Sequence, residues 1–283
     1  MVHMSINGRL LLDENNLLSP LSWACSYGYG LFETILVQMG RPLFLKQHLQ
    51  RMAESADALG LFMPAKEVLN NWIEELLIEA TLRTGRLKIS LLGDKKAAGE
   101  DKLQTNTLLI LQEGIIYQAD LYELGVEIGL LGLSKNEQSH LVRHKTLNYM
   151  ENILAREQAN GQGWFEGLFV NSQQRVCEGT ISNIFIVKDG IIKTPGPREG
   201  LLSGITRQLI IDLAQDNLLP CVETKIYPGE LIGGEELFIT NSLMGVMPVT
   251  KFAGTPIGKG VPGRVTSSIR KIYQELLDKE IQA

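Results

Sequence analysis

The chain is poor in cysteine. Its 283 residues include only Cys25, Cys177 and Cys221, which lie far apart and form no CxxC or other metal-ligand spacing. Neither a disulfide framework nor a zinc site is therefore expected, and we interpret the cysteines as small core residues. The four histidines form no HExxH pattern and no GxSxG sequence occurs, so zinc-dependent and serine-dependent hydrolysis have little support.

Long apolar runs and clusters of basic residues are also missing. The longest apolar runs, such as VEIGLLGL, fall far short of the roughly 20 residues that cross a bilayer, and the start, MVHMSINGRL, lacks a secretory pattern. The net charge is −5, whereas nucleic-acid binding depends on clustered Lys and Arg. The sequence thus predicts a cytoplasmic protein that binds neither membranes nor nucleic acid.

The residues that are present predict an α/β protein with one large or two smaller domains. Alternating patterns indicate a hairpin in GLFETILVQMG and RPLFL, helices in KQHLQRMAESADALG and AKEVLNNWIEELLIEATLRTG, and strands in RLKISLLG and NTLLILQE. A second unit begins near Val126 with the strand VEIGLLGLS. We predict a small α/β domain over residues 1–120 and a larger domain over residues 121–283.

Lys145 raises the first question of function. It precedes a segment in which the apolar residues Leu147, Met150, Ile153 and Leu154 recur at helical spacing. An ammonium at the start of a helix lies where the helix dipole disfavours positive charge. Three ordinary interpretations are a solvated lysine, a partner for a nearby carboxylate, or a helix that begins later. The fourth is a lysine kept neutral enough to act as a nucleophile.

Two polar features in the second unit are candidates for binding. Glu178 is expected at a strand entrance, where it is either functional or an ordinary acid that is solvated or answers an arginine. In REGLLSGITRQLIIDLA, a turn leads into an amphipathic helix with Gly204, Ile205 and Thr206 near its first turn. Such a start can bind phosphate through its N–H groups, or it can be an ordinary helix start with Ser203 as N-cap.

A further polar cluster follows a strand in EELFITNSLMGVMPV, where Thr240, Asn241 and Ser242 can donate to a ligand or cap their own backbone. The glycine-rich GTPIGKGVPGRVTSS lacks the GxxxxGK[ST] spacing and is interpreted as a turn before the last helix. A lysine, a carboxylate and two possible phosphate-binding turns are together the parts that pyridoxal phosphate requires.

The motifs HKTLNY, EGTISNIFIV, GLLSGITR and LFITNSLMGVMPV occur in the same order in the fold-type IV pyridoxal-phosphate enzymes. The chain resembles this class IV aminotransferase family over nearly its whole length. The family includes branched-chain aminotransferases, D-amino acid aminotransferases and 4-amino-4-deoxychorismate lyases. The resemblance implies a two-domain α/β (α+β) fold with the site between the domains, pyridoxal 5'-phosphate as cofactor, a small-molecule substrate and a homodimer.

The resemblance also implies a role for each matching residue. Lys145 would form a Schiff base with the cofactor and then transfer protons, and Glu178 would hold a proton on the pyridine nitrogen. The other implied cofactor-binding residues are Arg51, Ile205, Thr206 and Ser242 at the phosphate, Leu201 against the ring and Tyr149 at the phenolic oxygen. No metal ion is expected.

The type of reaction is inferred from the residues expected to lie near the substrate. TNSLMGVMPV resembles the lyases, because the equivalent turn of the aminotransferases usually carries a Thr or Ala pair followed by Glu. Thr34 matches a threonine that lyases place near the lysine, where it would orient the lysine or assist the leaving group. Leu92 stands where many relatives have an arginine that can meet a substrate carboxylate, which weakens the D-amino acid aminotransferase interpretation.

We therefore expect an aminodeoxychorismate lyase that forms 4-aminobenzoate and pyruvate in folate biosynthesis. The alternative enzyme is an aminotransferase for branched-chain or D-amino acids. A noncatalytic protein on the same fold is a third interpretation, which the presence of Lys145, Glu178 and Arg51 disfavours.

Overall fold

A computed structural model describes residues 2–11, 19–94, 102–114 and 117–282. These residues belong to two compact units. The first comprises Met1–Ile116, His144–Asn148 and Glu280–Ala283, and the second comprises Tyr117–Arg143 and Tyr149–Lys279. The first division along the chain lies close to the predicted one at residue 120.

The segment that carries Lys145 differs from the prediction, because it groups with the first unit instead of the second. Its backbone pairs with the strand that contains Phe32. Phe32 N donates to Lys145 O at 2.9 Å, and Leu147 N donates to Gly30 O at 3.0 Å. The local sequence pattern gives no indication of these long-range hydrogen bonds.

The first unit is an antiparallel six-stranded sheet with the strand order β2-β1-β6-β5-β3-β4. Its strands are β1 Val2–Ile6, β2 Arg9–Leu11, β3 Gly30–Gln38, β4 Arg41–Pro42, β5 Thr84–Gly93 and β6 Thr105–Glu113. Its helices are α1 Trp23–Tyr27, α2 Leu45–Ala58 and α3 Lys66–Ala80. The predicted hairpin, both predicted helices and both predicted strands are present. Helix α3 ends before the predicted boundary because Thr81 adopts a left-handed conformation, with φ 49°.

The two faces of this sheet have different environments because side chains alternate along a strand. Leu31, Ile35 and Val37 of β3 belong to a buried cluster that also contains apolar residues of α2 and α3. Phe32 and Thr34 point to the other face, on which Thr34 is only half-buried. The face of the sheet that points away from the helices therefore carries Phe32 and Thr34.

The second unit contains a mixed nine-stranded sheet with the order β12-β11-β10-β13-β14-β7-β8-β9, and β15 pairs with β14. The strands are β7 Val126–Lys135, β8 Glu166–Asn171, β9 Val176–Gly179, β10 Asn183–Lys188, β11 Ile191–Pro195, β12 Cys221–Thr224, β13 Glu236–Asn241, β14 Gly245–Phe252 and β15 Thr255–Pro256. The predicted hairpin at Asp189 and Gly190 joins β10 to β11, and both turn residues have positive φ.

The helices of the second unit are α4 Asp120–Leu124, α5 Met150–Gly161, α6 Ile205–Asp216, α7 Pro228–Ile232 and α8 Arg264–Gln282. Short 3-10 helices span His140–Arg143 and Pro197–Glu199. Within the described ranges, no helix combines the length and the apolar composition that a membrane span requires.

Helix α5 departs from the predicted pattern. It begins at Met150, so Leu147 lies outside it, because Thr146 bridges Leu31 and Leu147 N donates to Gly30 O of β3. Met150, Ile153 and Leu154 are exposed, whereas Ala155 and Ala159 are buried against Leu131 and Phe169. The expectation that Lys145 stands beside the first turn of this helix is therefore wrong.

The cysteines also differ in part from the prediction. Cys177 is buried as expected, whereas Cys221 is half-buried and Cys25 is exposed. Cys25 lies in the short helix α1, which has no buried residues.

Candidate active site

In the first unit, Lys145 contacts the Phe32 ring, and Thr34 lies on the same sheet face as Phe32. Lys145 Nζ lies 4.4 Å from the centre of the Phe32 ring. Thr34 follows two positions later on β3 and points to the same face of the sheet. The pairing of the Lys145 backbone with β3 thus brings the candidate nucleophile and the candidate hydroxyl to one short strand segment.

A second lysine contacts the same aromatic ring. Lys88 on β5 is the direct cross-strand partner of Thr34, and its Nζ lies 4.9 Å from the Phe32 ring centre. Burial, and then the charge of Arg86, lower the pKa of Lys88 below its usual value. Sequence reasoning missed Lys88, although its position opposite Thr34 follows once the strand register is known.

Arg51 is oriented by a buried carboxylate of β3. Glu33 accepts from Arg51 Nε at 2.8 Å and from Arg51 Nη2 at 2.6 Å, and its Oε2 lies 2.7 Å from His48 Nδ1. Burial alone would raise the pKa of Glu33, but the Arg51 charge and the hydrogen bonds from His48 and Arg51 lower it to about 2. Glu33 therefore stays ionised and fixes the guanidinium plane.

Sequence reasoning missed Glu33 and His48, although a signal was present. Glu33 lies on the same face of β3 as the core residues Leu31 and Ile35, so its charge requires a buried partner. His48 and Arg51 are three residues apart on α2 and share one helix face.

Glu178 is buried in β9, near the end of the strand instead of at its entrance. Its Oε1 accepts from Lys135 Nζ at 2.5 Å, and its Oε2 accepts from Leu202 N at 3.0 Å and from Asn183 Nδ2 at 3.5 Å. The ordinary interpretation of Glu178 as a solvated acid is wrong, and its ionic partner is a lysine. Lys135 and Asn183 were not identified from the sequence.

The start of α6 is compatible with an anion ligand. Its N-cap is Gly204 and not Ser203, and this N-cap residue has no side chain that could bond to the first turn, which begins with Ile205 and Thr206. A Cβ on Gly204 would lie 2.2 Å from Asn183 Oδ1, so a larger residue here would displace the Asn183 side chain. Uncapped N–H groups and the positive end of the helix dipole attract phosphate.

Thr206 and Leu201 flank this turn and are both buried. The Thr206 side chain hydrogen-bonds to Tyr273 of α8, and burial raises the pKa of Tyr273 to about 12 against the opposing effect of that bond. Tyr273 therefore remains a neutral phenol that orients the Thr206 hydroxyl.

Tyr149 precedes α5, and its hydroxyl donates to Thr180 O at 3.1 Å. The loop that contains Thr180 is built on Glu166, a fully buried carboxylate. Glu166 accepts from Thr180 N at 3.0 Å, from Ile181 N at 3.2 Å and from Ser182 Oγ at 2.8 Å. Burial, and then the charge of Glu178, raise the pKa of Tyr149 above its usual range.

Ser242 lies in the turn between β13 and β14. Asn241 Oδ1 accepts from Leu243 N and from Met244 N, each at 2.9 Å, so this side chain caps its own turn. The neighbouring Thr240 Oγ1 is buried and has no hydrogen-bond partner among the described residues. For Thr240, the sequence left two alternatives, donation to a ligand or capping of the backbone. The buried hydroxyl favours donation to a ligand.

Each unit contains groups of the kind that pyridoxal phosphate requires. The first unit supplies an amine in Lys145 and an oriented guanidinium in Arg51. The second unit supplies the buried carboxylate of Glu178, the uncapped start of α6, and hydroxyl groups near the β13 turn. Among the described residues, no group of three or more His, Cys, Asp and Glu side chains could hold a metal ion.

The chain belongs to the class IV aminotransferases, whose family model matches residues 30–252. This membership confirms the predicted pyridoxal-phosphate-dependent enzyme with the mixed α/β architecture of fold type IV.

Individual relatives differ in their activities. The chain is 29% identical to a protein of Methanocaldococcus jannaschii provisionally named a branched-chain-amino-acid aminotransferase, over 97% of this chain and 96% of the relative. It is 26% identical to aminodeoxychorismate lyase of Bacillus subtilis, over 95% and 93% of the two chains. The branched-chain aminotransferase of Thermoproteus uzoniensis, solved with norvaline, has a TM-score of 0.88 and 25% identity, with coverage of 98% and 95%. Similarity to these proteins therefore leaves the particular reaction open.

Proposed function

We propose that the protein is a 4-amino-4-deoxychorismate lyase that forms 4-aminobenzoate and pyruvate. The observation that carries this proposal is the position of Thr34 on the same sheet face as Phe32, whose ring contacts Lys145 Nζ at 4.4 Å. A hydroxyl beside the proton-transferring amine suits an elimination, because the departing oxygen needs a proton donor.

The proposed reaction uses few protein groups. When bound, pyridoxal phosphate withdraws electrons from the substrate carbon that carries the amine. Lys145 Nζ removes the proton from that carbon, and the adjacent bond to the enolpyruvyl oxygen breaks. Thr34 Oγ1 donates a hydrogen bond to this oxygen, and the released enol becomes pyruvate while the ring becomes aromatic. This elimination requires neither an oxidant nor a 2-oxo acid.

The remaining residues hold the cofactor in this proposal. Arg51, Ile205, Thr206 and Ser242 bind its phosphate. Glu178 holds a proton on the pyridine nitrogen, so that the ring accepts electrons. Leu201 packs against the ring face, and the Tyr149 hydroxyl transfers its hydrogen bond from Thr180 O to the phenolic oxygen when the cofactor binds. The burial of Glu178 and Leu201 and the uncapped start of α6 support these roles.

The turn after β13 also favours a lyase. An amino acid substrate carries a carboxylate on its reacting carbon and needs N–H donors for that group. The Leu243 and Met244 N–H groups already donate to Asn241 Oδ1. Their use within the turn leaves fewer donors for such a carboxylate, whereas the amine-bearing ring carbon of aminodeoxychorismate has no carboxylate.

We further propose that the protein works as a cytoplasmic homodimer. The exposed apolar side chains Met150, Ile153 and Leu154 of α5 support a subunit interface, because such surface is stabilised when a second copy covers it. The three free cysteines are consistent with a reducing compartment.

The decisive experiment supplies aminodeoxychorismate to the purified holoenzyme without any 2-oxo acid. We expect equal amounts of 4-aminobenzoate and pyruvate over many turnovers. An aminotransferase, the second candidate supported by the structural similarity to the Thermoproteus uzoniensis enzyme, would instead exchange amines between amino acids and 2-oxo acids. Rapid exchange for branched-chain or D-amino acids, with no 4-aminobenzoate formed, would replace the lyase by that activity.

A further inference from the structure

We propose that Lys135 is a positioning residue that keeps Glu178 ionised, so that the proton between this carboxylate and the bound cofactor stays on the pyridine nitrogen. The inference rests on the proposed role of Glu178. Lys135 Nζ donates to Glu178 Oε1 at 2.5 Å, and the two side chains are only 8% and 9% exposed.

The position of Lys135 follows from the sheet. It is the last residue of β7 and pairs in parallel register with Asn171 of β8. Its ammonium lies 4.7 Å from the centre of the Phe169 ring and contacts the Glu178 carboxylate from β9. A buried ammonium requires a counter-charge, which Glu178 provides, and the Phe169 ring adds a cation–π contact. These contacts hold the lysine in one place.

The hydrogen bonds of Glu178 leave room for a further donor. Lys135 occupies Oε1, whereas Oε2 accepts from Leu202 N and more weakly from Asn183 Nδ2. A carboxylate offers about four lone-pair sites, so these three donors do not saturate it. A pyridinium N–H can therefore be accepted without displacing Lys135.

The charge of Lys135 decides where that proton resides. A buried carboxylate without a counter-charge favours its neutral, protonated form, since burial penalises the anion. Glu178 would then compete with the pyridine nitrogen for one proton. Lys135 supplies the missing counter-charge at 2.5 Å, so the proton stays on the ring nitrogen, which can then accept electrons.

Two titratable groups next to the pair do not replace this charge. Burial, and then the charge of Glu178, raise the pKa of the Cys177 thiol to about 12, with Lys135 opposing the shift. The same two causes raise the pKa of the Tyr149 phenol. Both groups are therefore neutral at physiological pH.

The other nearby charges have partners of their own. Glu199 forms an ion pair with Arg175. Glu137 accepts hydrogen bonds from the backbone N and the side chain of Ser172. The cation that directly contacts Glu178 in the described part of the chain is therefore Lys135.

The experiment compares wild-type holoenzyme with Lys135→Met, Lys135→Arg and Glu178→Gln, each loaded with pyridoxal phosphate that carries 15N in the ring. The 15N chemical shift reports directly whether the pyridine nitrogen is protonated. It is followed across the pH range in which each protein stays folded. We expect a protonated nitrogen in wild type and Lys135→Arg. In Lys135→Met we expect a 15N shift displaced towards that of the unprotonated ring throughout this range, because the shared proton then lies on Glu178.

The outcomes separate this inference from the proposed function. If Lys135→Met retains the wild-type 15N shift over the whole range while Glu178→Gln changes it, the role of Lys135 is wrong and that of Glu178 stands. If Glu178→Gln leaves the shift unchanged as well, the role proposed for Glu178 itself is wrong.

A measurement on the wild type covers the case in which Lys135→Met does not fold. The side-chain 13C resonance of Glu178, assigned by its loss in Glu178→Gln, must show an ionised carboxylate in the holoenzyme at neutral pH. A protonated carboxyl group there would overturn the inference without any Lys135 variant. The charge-preserving Lys135→Arg must likewise show the wild-type ring shift.

Discussion

Glu33 and Arg51 form a two-point ion pair, with Arg51 Nε on Oε1 at 2.8 Å and Arg51 Nη2 on Oε2 at 2.6 Å. Glu33 is almost completely buried, whereas the Arg51 side chain is 14% exposed. One edge of the guanidinium is thus fixed by the protein. Because this geometry is fixed in advance, less side-chain entropy would be lost if Arg51 binds the cofactor phosphate as proposed.

The first prediction concerns cofactor affinity. Glu33→Gln removes the charge that orients Arg51, and we expect the dissociation constant for pyridoxal phosphate to rise by about tenfold or more, or at least about 1.4 kcal/mol. Absorbance titration of the apoenzyme measures it. Glu54→Gln, an exposed change on the same helix α2, is the matched control and should bind normally. Equal affinities for both variants would refute the orienting role.

The second prediction concerns stability in acid. The folded-state pKa of Glu33 is lowered from 4.5 to about 2. Its contribution is therefore present above pH 4.5 and lost as the pH falls towards 2. The full linkage corresponds to roughly 3 kcal/mol in the free energy of unfolding. Urea denaturation of wild type and Glu33→Gln should show a stability difference that shrinks over this interval, whereas a difference independent of pH would contradict the pKa assignment.

The third prediction distinguishes two lysines that contact the same Phe32 ring. Lys145→Ala should lose the visible absorbance of lysine-bound cofactor and nearly all turnover while remaining folded. Lys88→Ala, the matched control, should keep the covalent attachment. Borohydride reduction followed by peptide mapping identifies the attachment site. A cofactor adduct trapped at the original site in Lys145→Ala would show that another lysine carries the bond.

The fourth prediction tests the lyase step at Thr34. Thr34→Val keeps the side-chain shape but removes the hydroxyl, and we expect kcat with aminodeoxychorismate to fall by about tenfold or more, a barrier increase of at least about 1.4 kcal/mol. Thr34→Ser should restore most of the rate. The cofactor absorbance should be unchanged in both variants. A Thr34→Val enzyme with the wild-type kcat would remove the threonine from the reaction.

Local sequence patterns determined much of the first unit. The alternation along GLFETILVQ predicts β3 with Leu31, Ile35 and Val37 on a buried face, and the observed strand has this arrangement. The apolar spacing in α2 and α3 likewise predicts two helices. These predictions succeed because strand and helix periodicities are properties of neighbouring residues.

Helix α5 and the helix start at Gly204 show where local patterns fail. Leu147, Met150, Ile153 and Leu154 have helical spacing, yet Leu147 lies outside the helix and the other three are exposed. The pairing of residues 146–147 with β3 prevents an earlier start. At the start of α6, the N-cap is Gly204 although the local capping preference favours Ser203, and Asn183 Oδ1 occupies the space beside Gly204.

The order of the motifs in the sequence determined the cofactor class, because each motif is a short segment whose residue types can be recognised separately. Tertiary structure alone decided that Glu33 orients Arg51, that Lys135 pairs with Glu178, and that the Lys145 backbone hydrogen-bonds to the strand of Thr34. The physical reason is that strand register and long-range backbone pairing select the partner of each buried charge. Residue type and local spacing reveal only that such a charge requires one.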